Sequence, residues 1–127
     1  MERSVEMLAA LQMFILGLSH IVQHRAWAEF FILLRDKGAA GNFFIAFLHI
    51  GIGTLVVSFH NVWSGIPVVL TVLGWAWVLK GFLYFVVPRI GLRSLRLVSI
   101  EKSHRFAVAG GLMIVVSGLL AYDLVTA

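Results

Sequence analysis

Four predominantly apolar stretches, each about 20 residues long, run through the chain and are separated by segments that hold most of its charges. A helix that rises about 1.5 Å per residue needs about 20 residues to cross a hydrocarbon core roughly 30 Å thick. These stretches therefore predict an all-α integral membrane protein with four transmembrane helices, joined into one domain over residues 1–127. The predicted spans are residues 4–23, 41–60, 66–87 and 106–125.

The composition argues against a soluble protein. Hydrophobic residues make up 61% of the chain and charged residues 13%, whereas soluble domains average about 45–50% and about 25%. The chain has no cysteine from which to build a disulfide scaffold. A cleavable signal peptide is a competing interpretation of the first stretch, but Glu2 and Glu6 interrupt its basic start and no A-x-A site follows the apolar run.

The three connections between the spans differ in charge. Residues 25–37 combine aromatic and charged side chains over a length too short to cross, which predicts an interfacial helix ended by a C-cap at Gly38. Pro88 closes the third span, and residues 89–105 predict a second surface segment. Residues 60–67 hold turn formers and no fixed charge, so they predict a tight hairpin.

Lysine and arginine side chains indicate the orientation, because loops rich in them stay in the cytoplasm. We expect a multi-pass protein of the cell inner (plasma) membrane, with both termini and the hairpin outside the cytoplasm and short interfacial helices on the cytoplasmic side. The basic excess then marks topology and contact with membrane lipids, and we expect no nucleic-acid partner. The two charged connections hold eight of the ten basic residues: Arg25, Arg35, Lys37, Arg89, Arg93, Arg96, Lys102 and Arg105.

Three histidines are candidate ligands. His20 and His24 lie one helical turn apart, a spacing that suits a divalent metal, but two ligands with no carboxylate or cysteine beside them do not make a site. A haem held between helices needs two imidazoles at similar depth, and His20 and His49 differ in depth by roughly 6 Å. We therefore expect no metal and no cofactor, and interhelical hydrogen bonds from these side chains.

Lys80 is the one fixed charge predicted well inside a span. Two interpretations are open: its long side chain reaches the headgroups, or it stays buried and pairs with an anionic ligand or a partner's carboxylate. Within this chain Asp123 is a poor partner, because it lies near the opposite end of the fourth span.

No catalytic motif is visible, since the sequence has no P-loop, no H-E-x-x-H, no G-x-S-x-G and no C-x-x-C. Small multidrug exporters have this length and four spans but rely on a glutamate embedded in the first span, whereas Glu2 and Glu6 are expected at its outer end. We therefore expect a protein that is not an enzyme. Its span glycines should let helices pack closely; they are Gly51, Gly53, Gly74, Gly81, Gly110, Gly111 and Gly118.

Residues 59–88 carry two motifs. The hairpin reads F-H-N-x-W, and the third span reads L-T-x-x-G-W followed by a K-G pair and a proline. Together with residues 20–43, this pattern resembles a family of small four-span bacterial membrane proteins of uncharacterised function. The resemblance implies a fold and a membrane location, and no activity. It singles out four candidates for function or interaction: His60, Asn61, Trp63 and Lys80.

The leading functional hypothesis is a non-enzymatic small membrane protein, either an accessory or structural subunit of a membrane complex or a homo-oligomer. It rests on the lack of catalytic constellations and on more apolar surface than four short helices can bury. The alternative is a small transporter, or a haem- or metal-binding four-helix bundle centred on His49, Lys80 and His20. Expected partners are lipids and either other membrane subunits or a second copy.

The orientation is testable with single cysteines in this cysteine-free chain. Ser64→Cys, in the hairpin, should react with a membrane-impermeant maleimide added to intact cells, and Ser94→Cys, in the third connection, should react only after lysis. The reverse labelling pattern would contradict the argument from basic residues.

Overall fold

Six helices form in the computed structural model, which describes residues 1–126; Ala127, the last residue of the predicted domain, lies outside the described residues. Within that range the chain is helical and strand-free, and four helices are long and apolar enough to cross a membrane, as the sequence predicts. No predicted span boundary is off by more than two residues. The helices are α1 (Glu2–Val22), α2 (His24–Asp36), α3 (Ala39–Phe59), α4 (Val68–Val86), α5 (Pro88–Arg96) and α6 (His104–Thr126).

The four long helices pack as two antiparallel pairs, α1 with α6 and α3 with α4. Glycines make both contacts close: a Cβ at Gly17 would lie 2.8 Å from the carbonyl oxygen of Gly110, and a Cβ at Gly53 would lie 2.7 Å from the backbone nitrogen of Val78. Because lipid tails provide no hydrophobic force between helices, such backbone contact is a main source of their association. Each pair is therefore a tightly packed unit.

The short helices α2 and α5 lie together at one end of the bundle, called here the basic end; the termini and the connection between α3 and α4 lie at the other, the hairpin end. The predicted interfacial helix is confirmed as α2, which contacts α1, α3, α5 and α6. Phe31 of α2 stacks on Phe106 of α6 with ring centroids 5.3 Å apart. Arg35 donates to the carbonyl oxygen of Val98 at 3.0 Å. These contacts tie the two helix pairs together at the basic end.

Gly38 ends α2 as the sequence predicts, because it directly follows the C-cap residue Lys37 and its N–H bonds the Arg35 carbonyl oxygen at 3.0 Å. Lys37 caps α2, and Gly38 is the N-cap of α3 with a φ of 59°. The positive φ is a backbone conformation that side chains disfavour, so one glycine both ends α2 and makes the turn into α3.

The two pairs enclose an apolar cleft of about 170 Å³. All four long helices line it, with Ala9 and Met13 from α1, Val56 from α3, Trp77 from α4 and Met113 from α6. At the hairpin end the pairs also meet through a core cluster that contains Val5, Ala10, Val56, Leu70 and Leu120.

Glycine-to-alanine substitutions should separate packed positions from open ones on the same helix. Gly53→Ala should lower the free energy of unfolding by about 1–3 kcal/mol, because its methyl group meets backbone atoms that cannot rotate away. Gly51→Ala is the matched control, since a Cβ there meets nothing within 4 Å. Helicity measured by circular dichroism during unfolding in sodium dodecyl sulfate checks both, and equal effects would contradict the packing of α3 on α4.

Candidate functional site

A buried polar cluster lies at the hairpin end, between the two helix pairs. It consists of Glu6 of α1, His60 at the C-terminus of α3 and Thr71 of α4, with exposed fractions of 2%, 0% and 0%. His60 Nε2 lies 3.0 Å from Glu6 Oε1, and His60 Nδ1 lies 3.1 Å from Thr71 Oγ1. A buried ionisable pair is costly in a membrane unless it is matched, and such groups are functional candidates by default.

The hairpin between α3 and α4 positions His60. Helix α3 ends at Phe59, and His60 is extended (φ −143°, ψ 90°) while its N–H still bonds the carbonyl oxygen of Val56 at 2.7 Å. Gly65 turns the chain with a φ of 71°. Thr71, one turn into α4, holds the segment that leaves α3, because its hydroxyl contacts both the N–H and the carbonyl oxygen of Val62, at 3.1 and 2.7 Å.

The Thr71 hydroxyl has a single hydrogen to donate, and this indicates which nitrogen of the His60 imidazole carries a hydrogen. A hydroxyl has one hydrogen and two lone pairs. We assign the hydrogen to the Val62 carbonyl oxygen, at 2.7 Å the shortest of the three contacts, so the oxygen accepts from the Val62 N–H and from His60 Nδ1. With Nδ1 protonated, the 3.0 Å contact from Nε2 to Glu6 Oε1 needs one further proton, carried by either group.

Glu6 corrects the sequence interpretation, which placed it at the outer end of the first span and assigned it no role. The structure buries it, and its second oxygen, Oε2, is buried without a hydrogen-bond partner among the described residues. The sequence did indicate how deep each residue lies in the membrane: Glu6, near the start of the first span, and His60, at the end of the second, are both expected near the outer face. Depth alone does not say which way a helix faces, so the pairing was missed.

The neighbouring motif residues lie nearer the surface. Asn61 Oδ1 accepts a hydrogen bond from Trp75 Nε1 at 3.4 Å, and Trp63 is 62% exposed. These positions agree with the turn and interface roles that the residue types indicate. Of the hairpin candidates, His60 alone is in the buried cluster.

Lys80 lies at the level of His49, because the next residues along the two helices, Gly81 and Ile50, are in close backbone contact. Its Nζ is 5.4 Å from the centroid of the Tyr84 ring, one turn closer to the basic end, so the side chain runs toward that end. Within residues 1–126 no carboxylate lies within 4 Å of Lys80; Asp123 pairs with Arg3 at 3.8 Å instead. The fold thus keeps Lys80 apart from the buried cluster.

The remaining histidines bond to different parts of the fold. His20 Nδ1 donates to the Leu16 carbonyl oxygen at 2.6 Å, with its ring stacked on Trp27 at 4.0 Å. His24 Nδ1 bonds Ser103 Oγ at 2.8 Å, and His49 Nδ1 donates to its own helix. Across residues 1–126, no three histidine, aspartate or glutamate side chains are grouped to hold a metal ion.

The outer face of α6 is a second candidate site, of a different kind. Gly111 and Gly118 lie seven residues apart on one helix face, and a Cβ at either would meet nothing within 4 Å. Helix α6 is the span least buried by the rest of the protein: 17% of its apolar 18-residue stretch is buried, against 28–33% in the other three spans. A lipid-facing glycine stripe is a surface on which a further helix can pack closely.

Comparison with known proteins identifies no relative: no family model, no curated protein and no solved structure matches this chain.

Two threonine substitutions should measure what the cluster contributes to stability. Thr71→Val should lower the free energy of unfolding by about 1–3 kcal/mol, because it leaves His60 Nδ1–H buried without an acceptor and releases both Val62 contacts. Thr54→Val is the matched control, since that exposed hydroxyl bonds only carbonyl oxygens of its own helix. A thermal unfolding curve in detergent checks both, and an unchanged Thr71→Val midpoint would contradict the bonding described above.

Proposed function

We propose that the protein is a non-enzymatic subunit of a membrane assembly, bound to a helix of a second polypeptide through the outer face of α6. The observation that carries the proposal is the open space at Gly111 and Gly118. The second polypeptide is either another subunit or a further copy of this chain.

The other span glycines supply the comparison. A glycine inside a helix costs about 1 kcal/mol relative to alanine, and at Gly17, Gly53 and Gly110 close contact with a neighbouring backbone offsets that cost. Gly111, Gly118 and Gly51 carry the same cost without such a contact inside the chain, but Gly51 is a single open glycine on its span, whereas Gly111 and Gly118 form a stripe on one face of α6. A helix outside the chain is the simplest source of the missing contact.

The surroundings of the stripe indicate an apolar partner helix. Ala107 and Ala121 extend the small-residue face at either end, and Ala121 also lines an open groove between α1 and α6 at the hairpin end. Residues 107–121 contain no charged side chain. Van der Waals contact between backbones would therefore supply the attraction.

The non-enzymatic part of the proposal is supported by the state of Thr71. The Thr71 hydroxyl contacts the His60 imidazole in the buried cluster. A hydroxyl beside a histidine is the arrangement found in activated nucleophiles. The side chain of Thr71 is fully buried, however, and its hydrogen is bonded to a backbone carbonyl oxygen. Such a hydroxyl serves the hairpin and is inaccessible to a substrate.

The proposal also includes the orientation expected from the charges, with the basic end in the cytoplasm and the protein in the inner membrane. The fold supports it by bringing both arginine-rich segments, α2 with its flanks and α5, to one end of the bundle. Loops of that composition are retained in the cytoplasm during insertion.

The α6 interface can be tested by filling the stripe. The double substitution Gly111→Leu, Gly118→Leu should prevent close packing of a partner helix, so the protein should lose its partner or fall to the mass of a monomer. The measurements are native mass spectrometry of protein extracted in its own lipids and identification of the co-purified chains.

Gly51→Leu is the control, because it adds the same side chain at an open glycine on a different span. It should leave the mass and the co-purified chains unchanged. Retention of the wild-type assembly by the α6 variant would contradict the proposal.

A further inference from the structure

Glu6 and His60 make the one side-chain hydrogen bond between the α1–α6 pair and the α3–α4 pair among the described residues. Other side-chain bonds of these helices stay within a pair, such as Ser117 to the Ala10 carbonyl oxygen, or involve α2 at the basic end, such as Trp27 to Ser19. At the hairpin end the remaining contacts between the pairs are apolar.

Residues on either side of Glu6 and His60 along the chain line two different cavities, although neither residue itself lines one. Toward the membrane interior lies the apolar cleft, whose lining includes Ala9 and Met13, three and seven residues after Glu6, and Val56, four residues before His60. Toward the hairpin end lies an open pocket of about 550 Å³ lined by Glu2, Arg3, Ser58 and Phe59, with Met1. The residues of this pocket precede Glu6 by a turn or adjoin His60, so the pocket is the opening to the hairpin end that is nearest to the buried contact along both helices.

The contact depends on one proton. Thr71 fixes Nδ1 as a donor, so removal of the shared proton leaves the Nε2 lone pair facing a carboxylate oxygen, two acceptors with no hydrogen between them. Addition of a proton has a different result, because the unpartnered Oε2 can take it while Nε2–H still donates to Oε1. The contact is therefore lost as the pH rises and kept as it falls.

We propose that Glu6 and His60 form a proton-binding site that exchanges with the aqueous phase at the hairpin end and, while the proton is bound, holds the two helix pairs closed over the apolar cleft. The ligand of the site is H⁺, and the second oxygen of Glu6 is the position where a further proton is accepted.

Few other charged groups face this site. The chain start adds the Met1 α-amino group and α1 adds Glu2 and Arg3, while α6 adds Tyr122 and Asp123, of which Asp123 pairs with Arg3. Helix α3 presents only His60 at this end, and α4 presents none, since Lys80 points toward the basic end. The groups around Glu6 and His60 at this end are thus one exposed acid, one ion pair, the α-amino group and a phenol.

Two signals from the protein in phosphatidylcholine nanodiscs test the proposal. Histidine labelled with ¹⁵N reports the protonation of each His60 nitrogen, and 5-fluorotryptophan reports the cleft through Trp77, whose ¹⁹F resonance is assigned by its loss in Trp77→Phe. We expect Nδ1 of His60 to stay protonated throughout a pH titration. The Nε2 signal and the Trp77 resonance should shift together, at one midpoint, as the pH is raised.

Glu6→Gln should abolish the pH-dependent shift of Trp77, because an amide can donate to a neutral imidazole and the contact no longer needs a proton. Glu2→Gln removes the same charge one turn further out, from an exposed side chain, and should keep the shift. Persistence of the shift in Glu6→Gln, or its loss in Glu2→Gln, overturns the proposal. If Glu6→Gln does not fold, the pH titration of the wild-type protein tests the proposal by itself. An unprotonated Nδ1 of His60 would overturn the proposal, and so would different midpoints for the His60 and Trp77 signals.

Discussion

Close backbone contact at a few glycines is the interaction on which the rest of this bundle depends. Gly17 against Gly110 joins α1 to α6, and Gly53 against Val78 joins α3 to α4. In lipid, where burial of apolar side chains provides little force between helices, these contacts decide which helices form a unit. They also leave the remaining polar groups to determine how the two units meet.

The polar groups between the units differ at the two ends. At the basic end the units are linked through α2, where Phe31 stacks on Phe106 of α6 with ring centroids 5.3 Å apart and Arg35 donates to the carbonyl oxygen of Val98 at 3.0 Å. Those groups do not titrate. At the hairpin end the polar contact is a carboxyl with an imidazole, so its hydrogen is supplied by the solvent. The basic-end contacts thus need no added proton, whereas the proposed hairpin-end contact lasts as long as its proton is present.

The sequence was sufficient to predict the parts of the fold that depend on length and composition. Four apolar runs fixed the spans to within two residues, and the aromatic, charged segment from residue 25 onward predicted α2. The sequence did not predict which side chains face inward, because that depends on the rotation of each helix about its axis. Gly110 and Gly111 are adjacent, yet one packs against a backbone and the other faces open space. Glu6 was assigned the right depth and the wrong surroundings for the same reason.

The two proposals are related because both involve the α1–α6 pair: the proposed partner binds α6, and Glu6 belongs to α1. Glu6 belongs to α1, which is held to α6 through Gly17 and Gly110 and through Ser117, whose hydroxyl bonds the Ala10 carbonyl oxygen at 2.7 Å. If the outer face of α6 is fixed to a partner, the α1–α6 pair cannot move when the proton leaves. The displacement then falls on the α3–α4 pair, hinged at the basic end where α2 holds both pairs. Protonation at the hairpin end would thereby change the position of α3 and α4 relative to the partner chain without any change at the α6 interface itself.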